Sequence, residues 1–153
     1  MKQIEYAILA TYDNIIRARE SRYWHIDATF KHPAGFSQII VIQIIDELTK
    51  LKILTFFKLT NKKTEMTYYI VFQDIRTILE KGFKEKIKLV NYTHDFEMAM
   101  NNALTSVFPG IRRTGCYFHY KKSNDRYLGK YGFKKEEYNQ TKEYILLELG
   151  LFL

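Results

Sequence analysis

Between residues 23 and 30 the chain alternates at period two, with Trp24, Ile26, Ala28 and Phe30 on one face and Asp27 on the other. Such alternation predicts a half-buried strand. His32-Pro33-Ala34-Gly35 then supplies a turn. A second strand is predicted over 36–45, where the run Ile39-Ile40-Val41-Ile42 reads as buried on both faces. Asp46-Glu47-Leu48-Thr49-Lys50 leads into a third strand over 51–59. Connections this short predict an antiparallel meander.

Beyond residue 63 the period changes. Tyr68, Val71, Phe72, Ile75, Ile78 and Leu79 recur at i, i+3, i+4, i+7, i+10 and i+11, which predicts a helix over 64–80 stopped by Gly82. A fourth strand follows over 87–93. A second helix carries Phe96, Ala99, Met100, Ala103, Leu104 and Val107 as its apolar stripe, closed by Pro109-Gly110. A fifth strand over 112–117 leads into a basic, tyrosine-rich helix. In the first twenty residues, Ile4, Ala7, Ile8, Ile15 and Ile16 stand at roughly helical spacing and predict an upstream helical remnant. Together these elements predict an α/β fold: a five-stranded mixed sheet, a three-strand meander followed by β-α-β units, with flanking helices. The expected organisation is a helical remnant over 1–22, a core over 23–133 and a C-terminal helix over 134–153.

That topology changes the meaning of Asp27. Aspartate is depleted in strands, and an unpaired buried carboxylate is destabilising. Asp95 ends the apolar run Lys88-Leu89-Val90-Asn91-Tyr92-Thr93-His94-Asp95. If the fourth strand lies beside the first through the helical crossover, the two aspartates meet at strand carboxyl ends, the usual site in open α/β sheets. Two such acids are the minimum for holding a divalent metal in phosphoryl-transfer chemistry. Each has a plainer reading. Asp27 could be hydrogen-bonded within the strand or exposed at a sheet edge, and Asp95 before Phe96 is a good helix N-cap. Glu97 is assigned to the helix dipole.

At 153 residues and 46% apolar, the chain suits one globular domain with a substantial core. The net charge of +7 is uneven, with nine Lys/Arg against three Asp/Glu between residues 112 and 142. A basic face of that kind suits a polyanion, nucleic acid first, although solubility alone also accounts for it. A single cysteine, Cys116, excludes an internal disulfide framework and fits a reducing compartment. The apolar run 39–45 is too short to span a bilayer, and no signal peptide is visible. A soluble, intracellular protein without membrane association is expected.

Five blocks in series resemble one known family. They are His25-Ile26-Asp27-Ala28-Thr29-Phe30, Asn61-Lys62-Lys63-Thr64-Glu65-Met66-Thr67-Tyr68, Asp95-Phe96-Glu97-Met98-Ala99, Phe108-Pro109 and Gly115-Cys116-Tyr117-Phe118-His119-Tyr120. In order and spacing, over about residues 23–131, they resemble the transposase domain of Mutator-like elements. The resemblance implies an RNase H-like fold and a DDE-type transposase that cuts and joins DNA with two Mg2+ or Mn2+ ions, acting in the nucleus. On that pattern Asp27 and Asp95 are the first two metal-binding catalytic acids. The third, a glutamate, would lie well downstream, after a largely helical insertion that would start about where this sequence reaches Leu153. Of Glu136, Glu137, Glu143 and Glu148, the last two are weak candidates, and none has the expected context. The expectation is therefore a catalytic-core fragment inactive alone. The alternative is a domesticated, non-catalytic DNA- or protein-binding domain.

The Cys116-x-x-His119 pair shares a helix face, but structural zinc takes four ligands and no second pair stands at suitable spacing. The resemblance places this pair near the active site. Lys121, Lys122 and Arg126 could grip a DNA backbone; the same stretch also reads as an amphipathic helix with Tyr120, Tyr127, Leu128 and Tyr131 on its core face. The apolar stretch 144–153 calls for a partner: a longer helical region, a second subunit or the back of the core.

Overall fold

The structure is a computed structural model that describes residues 6–29, 38–46, 49–83, 86–95 and 97–132. The expected turn at 32–35, the late glutamates and the apolar stretch 144–153 lie outside these residues. Two compact units are present, Met1–Thr114 and Gly115–Leu153.

The first unit is built on β1 (Tyr6–Leu9), α1 (Tyr12–Glu20), β2 (Tyr23–Thr29), β3 (Gln38–Ile45), β4 (Lys52–Thr60), α2 (Glu65–Glu80), β5 (Asn91–His94) and α3 (Met98–Val107), with β6 (Arg112–Gly115) closing it. Thr11 and Thr64 cap α1 and α2, their hydroxyls accepting the N–H groups of Asn14 and Thr67 at 3.2 Å. At the far end of α2, Gly82 adopts φ +79°, a left-handed conformation suited to glycine after a helix C-terminus.

The six strands form one sheet in the order β1-β4-β3-β2-β5-β6. The meander β2–β3–β4 is antiparallel, and β5 runs parallel to β2 on the other side, as the crossover argument expects. The count is six rather than five because Tyr6–Leu9 is not helical. It pairs antiparallel with β4, from Tyr6 opposite Thr60 to Leu9 opposite Phe57, and only the stretch after it is a helix.

Burial alternates strictly along the central strands. On β2 and β3, Trp24, Ile26, Ala28, Ile40, Ile42 and Ile44 are buried, while His25, Asp27, Ile39 and Val41 are half-buried. The Ile39–Ile42 run is thus buried on one face, not two. One hydrophobic cluster joins that face to Ala18 of α1, to Val71, Phe72, Ile75 and Leu79 of α2, and to Met100, Ala103, Leu104 and Val107 of α3. All three helices therefore stabilise the sheet from the same side, leaving Asp27 on the opposite face. β5 is shorter than the apolar run suggested. The N–H groups of Lys88 and Val90 donate to the carbonyls of Arg19 and Arg22, so this stretch spends its hydrogen bonds outside the ladder.

Candidate functional site

The register between β2 and β5 decides where the acids lie. Tyr23 pairs with Asn91, Trp24 with Tyr92, His25 with Thr93 and Ile26 with His94. Asp27 is the next residue along β2, and Asp95 is the first residue beyond β5. Registered residues on parallel strands point to the same face, and neighbouring strands run about 4.8 Å apart. Ile26 is buried, so Asp27 turns to the other face of β2; Asp27 and Asp95 are both half-buried. Two acids 68 residues apart in sequence thus occupy adjacent positions at the carboxyl ends of a parallel pair. The chain leaves β2 toward β3 on one flank and β5 toward β6 on the other, which makes this the point where strand order reverses.

Main-chain donors orient both carboxylates. Asp27 Oδ1 accepts the N–H of Ala28 at 2.9 Å, and Asp95 Oδ1 accepts the N–H of Glu97 at 3.1 Å. Asp95 therefore holds the turn into α3, but the residue in the cap position is Glu97, whose side chain makes no capping bond to its own helix. Beside this turn His94 is buried against Tyr92, its Nδ1 contacting the carbonyl of Asp95. Burial depresses its pKa below the ordinary imidazole range, which favours the neutral ring. Among the described residues no group of three or more His, Cys, Asp or Glu side chains is placed to hold a metal ion.

Sequence reasoning missed a buried polar cluster next to the pair. Tyr68, in the first turn of α2, is fully buried. Its hydroxyl shares one proton between Glu97 Oε1 at 2.6 Å and Gln38 Oε1 at 2.7 Å, and Gln38 Nε2 donates to Glu97 Oε2 at 3.4 Å. Burial first, then the Glu97 carboxylate, pushes the Tyr68 phenol well above its usual range, so it stays a donor. Glu97 thus binds across the fold from the N-cap position of α3, where its charge also suits the helix dipole. The one signal available was a glutamate at a cap position that normally favours Asn, Asp, Ser or Thr.

In the second unit, α4 spans Tyr117–Lys130. Cys116 occupies its N-cap position without a side-chain capping bond, and His119 lies in its first turn. Lys121 is half-buried and Lys122 and Arg126 are exposed. Of the residues expected on a core face, Tyr120 and Leu128 are half-buried and Tyr127 and Tyr131 exposed, and no α4 residue is fully buried. Tyr127 and Tyr131 instead pair with each other, ring centres 4.9 Å apart, while both remain exposed. No helix among the described residues is long and apolar enough to cross a membrane.

A family model described as MULE transposase domain matches residues 23–123. That span takes in Asp27, Asp95, Cys116, His119, Lys121 and Lys122 and leaves Arg126 outside. No curated protein matches the chain.

Proposed function

The chain belongs to the MULE transposase domain family, and on that premise we propose that it is the catalytic core of a Mutator-like DDE transposase, with an RNase H-like fold, working on DNA in the nucleus. The fold reading is supported by the meander β2–β3–β4 with β5 parallel to β2 and β6 beyond it, β1 being an addition at the far edge. The single observation that carries the functional reading is the register that makes Asp27 and Asp95 neighbours at the carboxyl ends of β2 and β5.

The donor chemistry fits Mg2+ or Mn2+. Both side chains offer hard carboxylate oxygens, and Mg2+ sites commonly use one or two carboxylates with water and phosphate oxygens filling the remaining positions. Asp27 and Asp95 would hold the ion. When bound, it supplies Lewis-acid activation of a water or a DNA 3′-hydroxyl and stabilises the leaving oxygen at the scissile phosphate. The chain's own contribution is orientation: each carboxylate has one oxygen tied to a backbone N–H. Asp95 Oδ2 makes no hydrogen bond among the described residues and would face the ion. Lys121, Lys122 and Arg126 would neutralise backbone phosphates, giving binding that weakens steeply with salt.

The described residues bring only two acids together, and two acids bind a divalent ion weakly, so the 153-residue chain is expected to bind DNA but to give little or no cleavage or strand transfer. The test is incubation with plasmid DNA and Mg2+ or Mn2+, beside salt-titrated DNA binding. Binding should survive Asp27→Ala, while neutralising Lys121, Lys122 and Arg126 together should lower the log-log salt slope by about one for each phosphate left without its cation. Robust cleavage abolished by Asp27→Asn would overturn the claim of inactivity. Binding with an unchanged salt slope in the triple variant would remove α4 from the DNA interface.

A further inference from the structure

We propose that Glu97 is the positioning residue for Asp95, and that Tyr68 and Gln38 act through it. This rests on the reading of Asp95 as a metal-binding acid. The chain of contacts is continuous. Gln38 opens β3 and Tyr68 lies in the first turn of α2, and both side chains are fully buried. Both direct polar atoms at one carboxylate, that of Glu97. The main chain of Glu97 then reaches in two directions, its carbonyl accepting the N–H of Asn101 at 3.0 Å and its N–H donating to Asp95 Oδ1 at 3.1 Å. Its side chain is thus anchored to the meander and the crossover helix, and its backbone grips the acid.

Packing alone does not require this arrangement. A phenylalanine would fill the space of the Tyr68 ring and bury no hydroxyl, and a buried hydroxyl is tolerated only when bonded. A hydrogen bond to a carboxylate is about twice as strong as a neutral one. The Tyr68–Glu97 bond spans 29 residues and the Gln38–Glu97 bond 59, so they join three separate elements at one point. That point lies two residues from Asp95. Side chains that orient a metal ligand typically change metal affinity by about 10–100-fold when removed.

The test uses the full chain and two readouts: hydrogen exchange of the Glu97 amide without metal, and Mn2+ affinity by titration. Tyr68→Phe keeps every charge, so a purely electrostatic role for Glu97 leaves both readouts unchanged. Positioning instead gives faster exchange at the Glu97 amide and about a tenfold loss of Mn2+ affinity. Glu97→Ala should do the same, whereas Glu97→Gln, whose amide oxygen still accepts from Tyr68, should retain most of the wild-type behaviour. A folded Tyr68→Phe variant with wild-type exchange and affinity overturns the proposal, as does an equal loss in Glu97→Gln and Glu97→Ala. If the wild-type chain binds no Mn2+, the metal-site reading fails, and exchange at Glu97 alone decides whether Asp95 is positioned.

Discussion

Replacing Lys58 with methionine is expected to stabilise the protein by about 3 kcal/mol at pH 6 and by almost nothing at pH 10.5. Lys58 lies on β4, in register with Ile8 and Ile40, on the face that the helices cover. Only 1% of it is exposed, and among the described residues its Nζ has no hydrogen-bond partner. The Tyr6 ring stands 5.1 Å away, while the nearby Asp74 is occupied by the Tyr6 hydroxyl. Burial, opposed by Asp74, lowers the Lys58 pKa from 10.5 to about 7. Between those two values the unfolded chain binds more protons than the folded one, so stability rises with pH across that window. Below pH 7 both states are protonated and the full penalty of a buried, unpaired ammonium remains. Methionine fills similar volume without the charge. Urea unfolding of both proteins at pH 6, 8 and 10 checks this, and a variant less stable than wild type at pH 6 would show that the ammonium has a partner.

Trp24→Ala is expected to lose about 4 kcal/mol, a large part of the 5–15 kcal/mol typical of a domain. Trp24 is 1% exposed. Its ring meets Phe108 edge-on at 5.5 Å, and its Nε1 donates to the carbonyl of Ala18 at 2.9 Å. The one side chain therefore connects β2, α1 and the end of α3. Alanine removes the ring contact and also strands a buried carbonyl, which adds to the cavity term. Trp24→Phe should recover most of the packing but not the hydrogen bond. Unfolding followed by circular dichroism measures both, and a loss below about 1 kcal/mol for Trp24→Ala would mean the cluster is not one cooperative core.

Elements that rest on local periodicity were legible. The stripe from Tyr68 to Leu79 and the alternation around Ile26 both follow from short-range spacing, and they suffice to bring β5 beside β2. The adjacency of Asp27 and Asp95 followed from that topology without any local signal linking them. What was not legible depends on distant partners. Tyr6–Leu9 has apolar spacing compatible with a helix turn, and only its pairing with Phe57 to Thr60 makes it a strand. Ile39 and Val41 look like core residues because their side chains are apolar, yet α1, α2 and α3 pack on the other face of the strand. Tyr68 passed as one more apolar position in a helical stripe; its hydroxyl gains meaning only from Gln38 and Glu97, far away in the chain. α4 shows the converse. Its tyrosines suggested a core face, but Tyr127 and Tyr131 pair with each other while exposed, and Tyr120 is only half-buried.

Mn2+ binding to the full chain most directly tests the claim that Asp27 and Asp95 form one divalent-cation site. Electron paramagnetic resonance of free Mn2+ gives the affinity for the wild type, Asp27→Asn, Asp95→Asn and the double variant. The expected result is one weak site, with a dissociation constant on the order of 10⁻³ M, lost in either single variant and no worse in the double. Equal Mn2+ binding in the wild type and the double variant would contradict it.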